Sequence, residues 1–319
     1  MKKNIKNLLS IVVFYKAKAP IIMLRQFLFQ MMQRFSNKEG VEKKIYNYKM
    51  LLPLKDDGLG RVLYVLGERE LDHKWLIDKE VREDDRILDL GANIGYYAIM
   101  EAMKLSDKGR IFAVEPDPRN TLFFEKNIQL NNLQNKVEFT QGAISNHNGK
   151  AVFGLHKRTN LNSFNFSSDS ADSEVEEVDV DVIDFGDFVQ KLGGVDLVRM
   201  DVEGHEFEIF QSLVKLMATE KKLAPRTIIF ETHCYKSAEL MKEIMMQLFD
   251  GGYRVKYMTS DDELGPQKSI ISQKGYKPLF IIDEWGASRG IYEEINNADA
   301  SELISNWKGT RTICLELTV

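Results

Sequence analysis

Cysteine and histidine are scarce in this chain: of 319 residues, two are cysteine (Cys234 and Cys314) and five are histidine. Two cysteines without Cys-x-x-Cys spacing cannot build a disulfide framework, so the chain suits a reducing compartment, with a single bridge as the most it can form. A long apolar run is missing as well, since no uninterrupted stretch nears the roughly 20 residues of a membrane-spanning helix. Acidic residues are absent up to Lys38, whereas Lys2, Lys3, Lys6, Lys16, Lys18, Arg25, Arg34 and Lys38 are all basic. With a net charge of −5 over the whole chain, the remainder is distinctly acidic, and no nucleic-acid partner is expected. Apolar residues, by contrast, make up 44%, enough for a sizeable core in one large domain or in one domain with an appendage.

Between the early basic residues lie two apolar stretches, Leu8 to Tyr15 and Ile21 to Met32. Lys16, Lys18 and Pro20 argue against a signal peptide, because its cleavage region should be small and neutral. A basic amphipathic helical segment over residues 1–48, broken at Pro20, is the better reading. It forms either an accessory layer on the main domain or, through residues 1–38, a peripheral contact with anionic lipid. A cytoplasmic protein, soluble or peripheral to a membrane, is the corresponding expectation.

Residues 49–319 read as the main domain, with a core at about 84–260. Strands at Lys49–Leu54 and Val62–Leu66 flank a Lys-Asp-Asp-Gly turn and suggest a hairpin or small lid, and a short helix over Glu70–Val81 follows. The segments then alternate: strand Ile87–Leu90, helix Ile94 to about Leu105, strand Arg110–Glu115, helix Pro118–Asn131, strand Val137–Gln141. An insertion over 143–182 holds two strand-like runs, Ala151–Leu155 and Val175–Val182, around a polar loop at 157–173. Strand Val195–Met200, helix Glu206 to about Met217, strand Thr227–Phe230 and helix Ala238–Phe249 resume the rhythm. Strands at Tyr253–Met258, Leu279–Ile282 and Thr312–Leu317 complete it, with a polar loop at 259–277. This order predicts an α/β fold with a mainly parallel sheet, helices on both faces and a ligand at the carboxyl ends of the strands.

The turn Gly91-Ala92-Asn93-Ile94-Gly95, between strand and helix, is built for close backbone approach to a ligand. It carries two glycines rather than the three of a dinucleotide fingerprint, and no Gly-Lys-Ser/Thr follows it, which excludes a Walker-type phosphate loop. Glu115 ends the next strand, where its carboxylate can accept hydrogen bonds from ribose hydroxyls. A ligand with a ribose and no phosphates fits these features best, and S-adenosylmethionine is such a ligand.

Asp89-Leu90-Gly91-Ala92-Asn93-Ile94-Gly95, Glu115-Pro116-Asp117-Pro118, Met200-Asp201-Val202-Glu203-Gly204-His205-Glu206 and Phe230-Glu231-Thr232-His233 together resemble the FkbM family of S-adenosylmethionine-dependent methyltransferases. The resemblance covers roughly residues 60 to 260. It implies a class I methyltransferase, Rossmann-like fold with a seven-stranded, mainly parallel sheet and one antiparallel strand near an edge. It also implies O-methylation of a hydroxyl on a sugar, glycan or natural-product-like acceptor, with S-adenosylhomocysteine as product. Residue by residue, Asp89, Gly91, Asn93 and Gly95 would line the methionine half of the cofactor, Glu115 the ribose, Asp117, Gly142 and Ala143 the adenine edge, and Asp201 the face nearest the methyl group. Ala92, Tyr96 and Pro116 would complete the cofactor site.

A hydroxyl acceptor must lose a proton, and a base with a pKa near working pH does this best. His205 and His233 are the candidates, the latter with Glu231 close by; His73, His147 and His156 rank lower. No metal is expected, although Asp201, Glu231 and His233, with Glu203, offer an oxygen-rich alternative for a divalent ion. Ser163 and Glu203 are candidate contacts to the acceptor, a small molecule or glycan. The rival class is a non-catalytic, membrane-associated scaffold on the same fold.

Overall fold

The computed structural model describes residues 18–55, 58–155, 176–233, 235–263, 269–284 and 287–318. The sequence expectations for Lys2 to Lys16, His156, Ser163 and Cys234 lie outside these. Helix α1 spans Ala19–Phe35, with Pro20 in its first turn, where the missing N–H removes no bond. Strands β1 (Gly40–Ile45) and β2 (Tyr48–Pro53) form an antiparallel hairpin. Its register runs from Ile45 opposite Tyr48 to Gly40 opposite Pro53, so the expected partner of β2 at Val62–Leu66 is replaced.

That stretch is instead helix α2, Leu59–Leu66. Its Val, Leu and Tyr content suggests a strand, yet Leu59 and Leu63 recur at helical spacing and are buried, and Gly67 closes the helix in the left-handed conformation. Helix α3 follows at Leu71–Glu80.

Strand β3 (Arg86–Leu90), helix α4 (Tyr96–Ala102), strand β4 (Arg110–Glu115), helix α5 (Pro118–Leu130) and strand β5 (Val137–Gln141) form the first parallel half. The insertion is a separate three-stranded sheet of β6 (Ala143–Ser145), β7 (Gly149–Leu155) and β8 (Glu176–Asp184), in the order β6-β8-β7. Helix α6 (Phe185–Leu192) then leads into strand β9 (Leu197–Met200), helix α7 (Glu206–Glu220), strand β10 (Thr227–Glu231) and helix α8 (Ala238–Asp250). Strand β11 (Tyr253–Ser260), the short helix α9 (Ile270–Gln273), strands β12 (Phe280–Glu284) and β13 (Ala287–Tyr292), helix α10 (Asn297–Asn306) and strand β14 (Thr310–Leu317) end the chain.

The main sheet runs β12-β13-β11-β14-β10-β9-β3-β4-β5. Pairs from β5 through β10 are parallel, and β14 lies antiparallel between β10 and β11. Among the described residues the sheet therefore has nine strands rather than seven: a hairpin of β12 and β13 extends the β11 edge. Both faces are covered, as the period-2 alternation of a buried strand requires. Along β3, Ile87 enters the core beneath α2 to α5, while Leu88 and Leu90 enter the core beneath α6, α7 and α8. Chain order reverses between β3 and β9, and the crevice outside their carboxyl ends is where a ligand site belongs.

Candidate active site

Gly91, directly after β3, has φ of +74°, and a Cβ there would meet the Asp201 carbonyl oxygen at 2.1 Å. Only glycine lets the turn after β3 touch the end of β9. Across the switch point the two strand ends are thus in contact, and a pocket opens above them. Leu90, Gly91, Ala92, Asn93, Tyr96, Glu115, Pro116, Gly142, Ala143, Asp201, Glu203 and His205 all line it.

The far side of the turn is held by Glu115. Its Oε2 accepts from the Asn93 amide at 2.8 Å, and Oε1 accepts from the Asp117 amide at 3.0 Å and the Asn120 side chain at 3.1 Å. Burial pushes its carboxyl up to about 7, against these donors. A carboxylate has about four lone-pair sites, so it retains acceptor capacity toward the pocket. A vicinal diol such as that of ribose supplies two hydroxyl donors of the required kind. The residues present therefore suit a nucleoside.

Asp117, in contrast, is committed locally. It caps α5 by accepting from the Arg119 amide at 2.8 Å and forms a two-point pair with the Arg119 guanidinium, and it does not line the pocket. Asp89 is also fully buried behind the turn rather than in the pocket wall. Its Oδ1 accepts from Arg199 Nη1 at 3.2 Å.

Arg199 is the residue the sequence reading missed. Only 1% exposed, it donates from Nη1 to Asp89 and to the Gly91 carbonyl, each at 3.2 Å, and from Nη2 to Asp201 at 3.3 Å. Its guanidinium lies 4.1 Å from the centroid of the Tyr97 ring. Burial works against the charge, but Asp89 and Asp201 outweigh it and raise the Arg199 pKa further. Its signal in the sequence is a lone charge in the otherwise apolar run Leu197-Val198-Arg199-Met200.

At the ends of β9 and β10 a second cluster forms. The turn Asp201 to His205 holds Glu203 at φ of +51°, a costly conformation for a non-glycine residue. Buried Glu206 accepts from the Val202 and Gly204 amides at 3.4 Å each and pairs with His233 Nδ1 at 2.8 Å. His233 Nε2 lies 3.5 Å from both Asp201 and Glu203. Burial alone would lower the His233 pKa, yet Glu206 and Asp201 hold it well above the usual value, so the ring is an imidazolium at neutral pH. His205 is opposite in character: burial takes it down to about 4, and its Nε2 lies 2.9 Å from Ser145 Oγ.

Glu203 is pushed up to about 8 by burial and by the neighbouring Asp201 carboxylate. Glu231 is pushed up to about 7 by burial, despite Arg311 at 2.7 Å. Arg311 bridges from Glu231 to Glu70, 2.8 Å away, and Glu70 also pairs with Arg69 and accepts from the Tyr97 hydroxyl. Ligand atoms of Asp201, Glu203 and His233 fall within 4.8 Å of one another, spacing at which a divalent ion could be held. The trio includes Glu203, whereas Glu231 is engaged by Arg311.

His147 is exposed and His73 is buried beneath Tyr97, its ring centroid 4.5 Å from that of the tyrosine. Neither lines the pocket. Phe153 of β7 does, so the insertion contributes a wall of the pocket, through a strand residue rather than through its polar loop.

A parallel sheet with its pocket at the switch point, a glycine turn, and an acidic residue closing the next strand define the class of α/β nucleoside-binding proteins to which class I methyltransferases belong. Within that class, the Methyltransferase FkbM domain matches residues 89–255, and the chain belongs to the FkbM methyltransferase family. Its cofactor is S-adenosylmethionine. Methyltransferase 1 of Beauveria bassiana is 27% identical over 41% of this chain and 59% of its own length. The hexuronic acid methyltransferase AglP of Haloferax volcanii is 26% identical over 49% of this chain and 61% of its own length. The chain thus spans about six-tenths of the length of these two relatives. Among solved structures, TYW2 of M. jannaschii, in complex with AdoMet, covers 89% of each chain with 13% identity and a TM-score of 0.40.

Proposed function

We propose that this protein is an S-adenosylmethionine-dependent O-methyltransferase whose acceptor is a hydroxyl of a sugar or glycan. The observation that carries the reading is the acidic cluster Asp201, Glu203 and Glu231, set at the ends of β9 and β10 beside a pocket fitted for a nucleoside. The name of the hexuronic acid methyltransferase relative supports a saccharide acceptor.

When bound, the cofactor supplies an electrophilic methyl group on a sulfonium. For such a transfer the acceptor hydroxyl would have to give up its proton to a base of the protein. Holding the acceptor oxygen in line is the protein's principal task. Asp201, paired with Arg199 at 3.3 Å, favours the positive charge electrostatically, in the ground state as in the transition state.

For the proton, Glu203 is the best-matched acceptor. It lines the pocket, its pKa near 8 suits Brønsted matching, and the imidazolium of His233 holds a positive charge beside it. His233 is already protonated at neutral pH and acts here by orienting Asp201 and Glu203, while Glu206 fixes its ring. His205 is neutral and lines the same pocket, with its Nε2 engaged by Ser145 Oγ at 2.9 Å.

Calorimetry with S-adenosylhomocysteine tests the first half: the folded protein should bind it, and no binding at millimolar ligand would overturn the reading. Incubation with S-adenosylmethionine and saccharides bearing free hydroxyls tests the second, with methyl incorporation read by mass spectrometry. Cofactor binding without transfer to any saccharide, alongside transfer to a non-carbohydrate hydroxyl, would remove the sugar and keep the chemistry.

A further inference from the structure

Helix α1 has two faces of different fate. Ala19 and Ile22 are buried against Val65 of α2, and the Phe29 ring lies 5.2 Å from that of Tyr64. The Arg25 guanidinium reaches the Val65 carbonyl at 3.4 Å and pins the helix there. On the opposite face Ile21, Leu24, Leu28, Met31 and Phe35 recur at spacings of three and four residues, with Phe27 beside them. All six are 41–68% exposed, an unbroken apolar stripe along the whole helix.

Ordinary folding does not require such a stripe, because the helix is already docked through its other side. Contiguous exposed apolar surface marks a contact with something else. What that is follows from the charges. Residues 1–38 carry eight basic residues and no acidic one, while the rest of the chain is acidic. Within the helix, Arg25 and Arg34 fall on either flank of the stripe, and Lys18 and Lys38 stand at its two ends. Two copies of α1 laid stripe to stripe would gather these cations with no carboxylate in either segment to pair them. An anionic bilayer supplies both an apolar interior for Leu24, Phe27 and Met31 and the counter-charge for the arginines and lysines. No described helix is long and apolar enough to cross a membrane, so the contact is one that lies in the interface.

We propose that the outward face of α1 is a membrane-docking surface for anionic lipid, with Ile21, Leu24, Phe27, Leu28, Met31 and Phe35 entering the headgroup–acyl boundary. The contact is independent of which acceptor is methylated.

The test uses the full chain and co-sedimentation with vesicles of phosphatidylcholine alone or mixed equally with phosphatidylglycerol. The wild-type protein should pellet with the mixed vesicles, less with the neutral ones, and progressively less as salt rises. A triple variant, Leu24→Asp, Phe27→Asp and Met31→Asp, should partition about tenfold or more weakly. Because these side chains are exposed, it should keep wild-type affinity for S-adenosylhomocysteine, which reports an intact fold. A second variant, Arg34→Glu with Lys38→Glu, leaves the stripe untouched and should lose most of the preference for anionic vesicles. Wild-type protein that stays in the supernatant with anionic vesicles overturns the proposal, as does a triple variant that pellets equally. Gel filtration showing a wild-type dimer that the triple variant abolishes, without vesicle binding, would assign the face to a second copy instead.

Discussion

The backbone amide of Asn93 donates to Oε2 of Glu115 at 2.8 Å, so the glycine turn after β3 and the end of β4 form one rigid piece. Glu115 thereby holds the turn while keeping acceptor capacity toward the pocket. Replacing it by Ala should weaken S-adenosylhomocysteine binding by about 1–3 kcal/mol, the cost of losing charge-assisted hydrogen bonds and leaving buried amides unpaired, as read by calorimetry.

The same residue sets a pH dependence. Its folded pKa of about 7 lies above its ordinary value, so its contribution to the stability of the ligand-free protein is fully present at acid pH and is lost as pH rises through about 7. Ribose hydroxyls donate to the carboxylate form. Affinity should therefore fall as pH drops below about 7, and binding there should release protons, seen as a dependence of the calorimetric heat on the buffer's ionisation enthalpy. A binding curve flat from acid to neutral pH would contradict this.

Arg199 joins Asp89, the Gly91 carbonyl and Asp201 in one buried cluster. Arg199→Met should destabilise the protein by about 3–5 kcal/mol, since it leaves the Asp89 charge buried and uncompensated. Adding Asp89→Asn should recover a large part of that loss, because the penalty belongs to the unpaired charge. Urea unfolding midpoints of the three proteins check the pattern, and equal destabilisation in single and double variants would count against it.

Glu203→Gln should lower kcat by about 10²–10⁴-fold with little change in S-adenosylhomocysteine affinity, the range expected for loss of a positioned base. In the wild-type protein kcat should rise as pH passes through about 8, where the Glu203 carboxyl ionises, and the rise should vanish in the variant. A variant retaining the wild-type pH profile would remove Glu203 from the role of base.

At Gly91 even the smallest side chain is excluded by the Asp201 carbonyl at 2.1 Å from the position of a Cβ. The left-handed conformation adds about 1–2 kcal/mol for a non-glycine residue. Gly91→Ala should therefore lower the thermal midpoint and weaken S-adenosylhomocysteine binding together, whereas Gly193→Ala, with φ of +74° and open space around its Cβ, should affect the midpoint alone.

Local pattern made the parallel half of the fold legible. Arg110–Glu115 and Val137–Gln141 are strands with the bounds their apolar runs indicate, and Pro118 starts its helix as expected. Where composition and periodicity disagreed, at Leu59–Leu66, the β-branched and aromatic residues pointed to a strand and the burial of one helical face prevailed. Helices α6 and α10 escaped notice because they are short and begin on ordinary side-chain caps, Asp184 and Asn296. Strand β13 escaped because it joins the sheet by pairing with β11, a distant contact that its own residues do not encode.

For the site, sequence alone determined the family, the glycine turn, Glu115 and the acidic segment at Asp201, because each is written in contiguous residues with fixed spacing. Tertiary structure decided what those groups are chemically. His233, a plausible base by type, becomes an imidazolium because Glu206 and Asp201 converge on it from another strand end. Glu203 becomes a carboxyl titrating near neutrality because burial and Asp201 oppose its charge. Asp89 faces Arg199 rather than the pocket, since β3 and β9 are neighbours only in the folded sheet. Charge states depend on distance and burial, and both are set by packing between segments that the chain order keeps far apart.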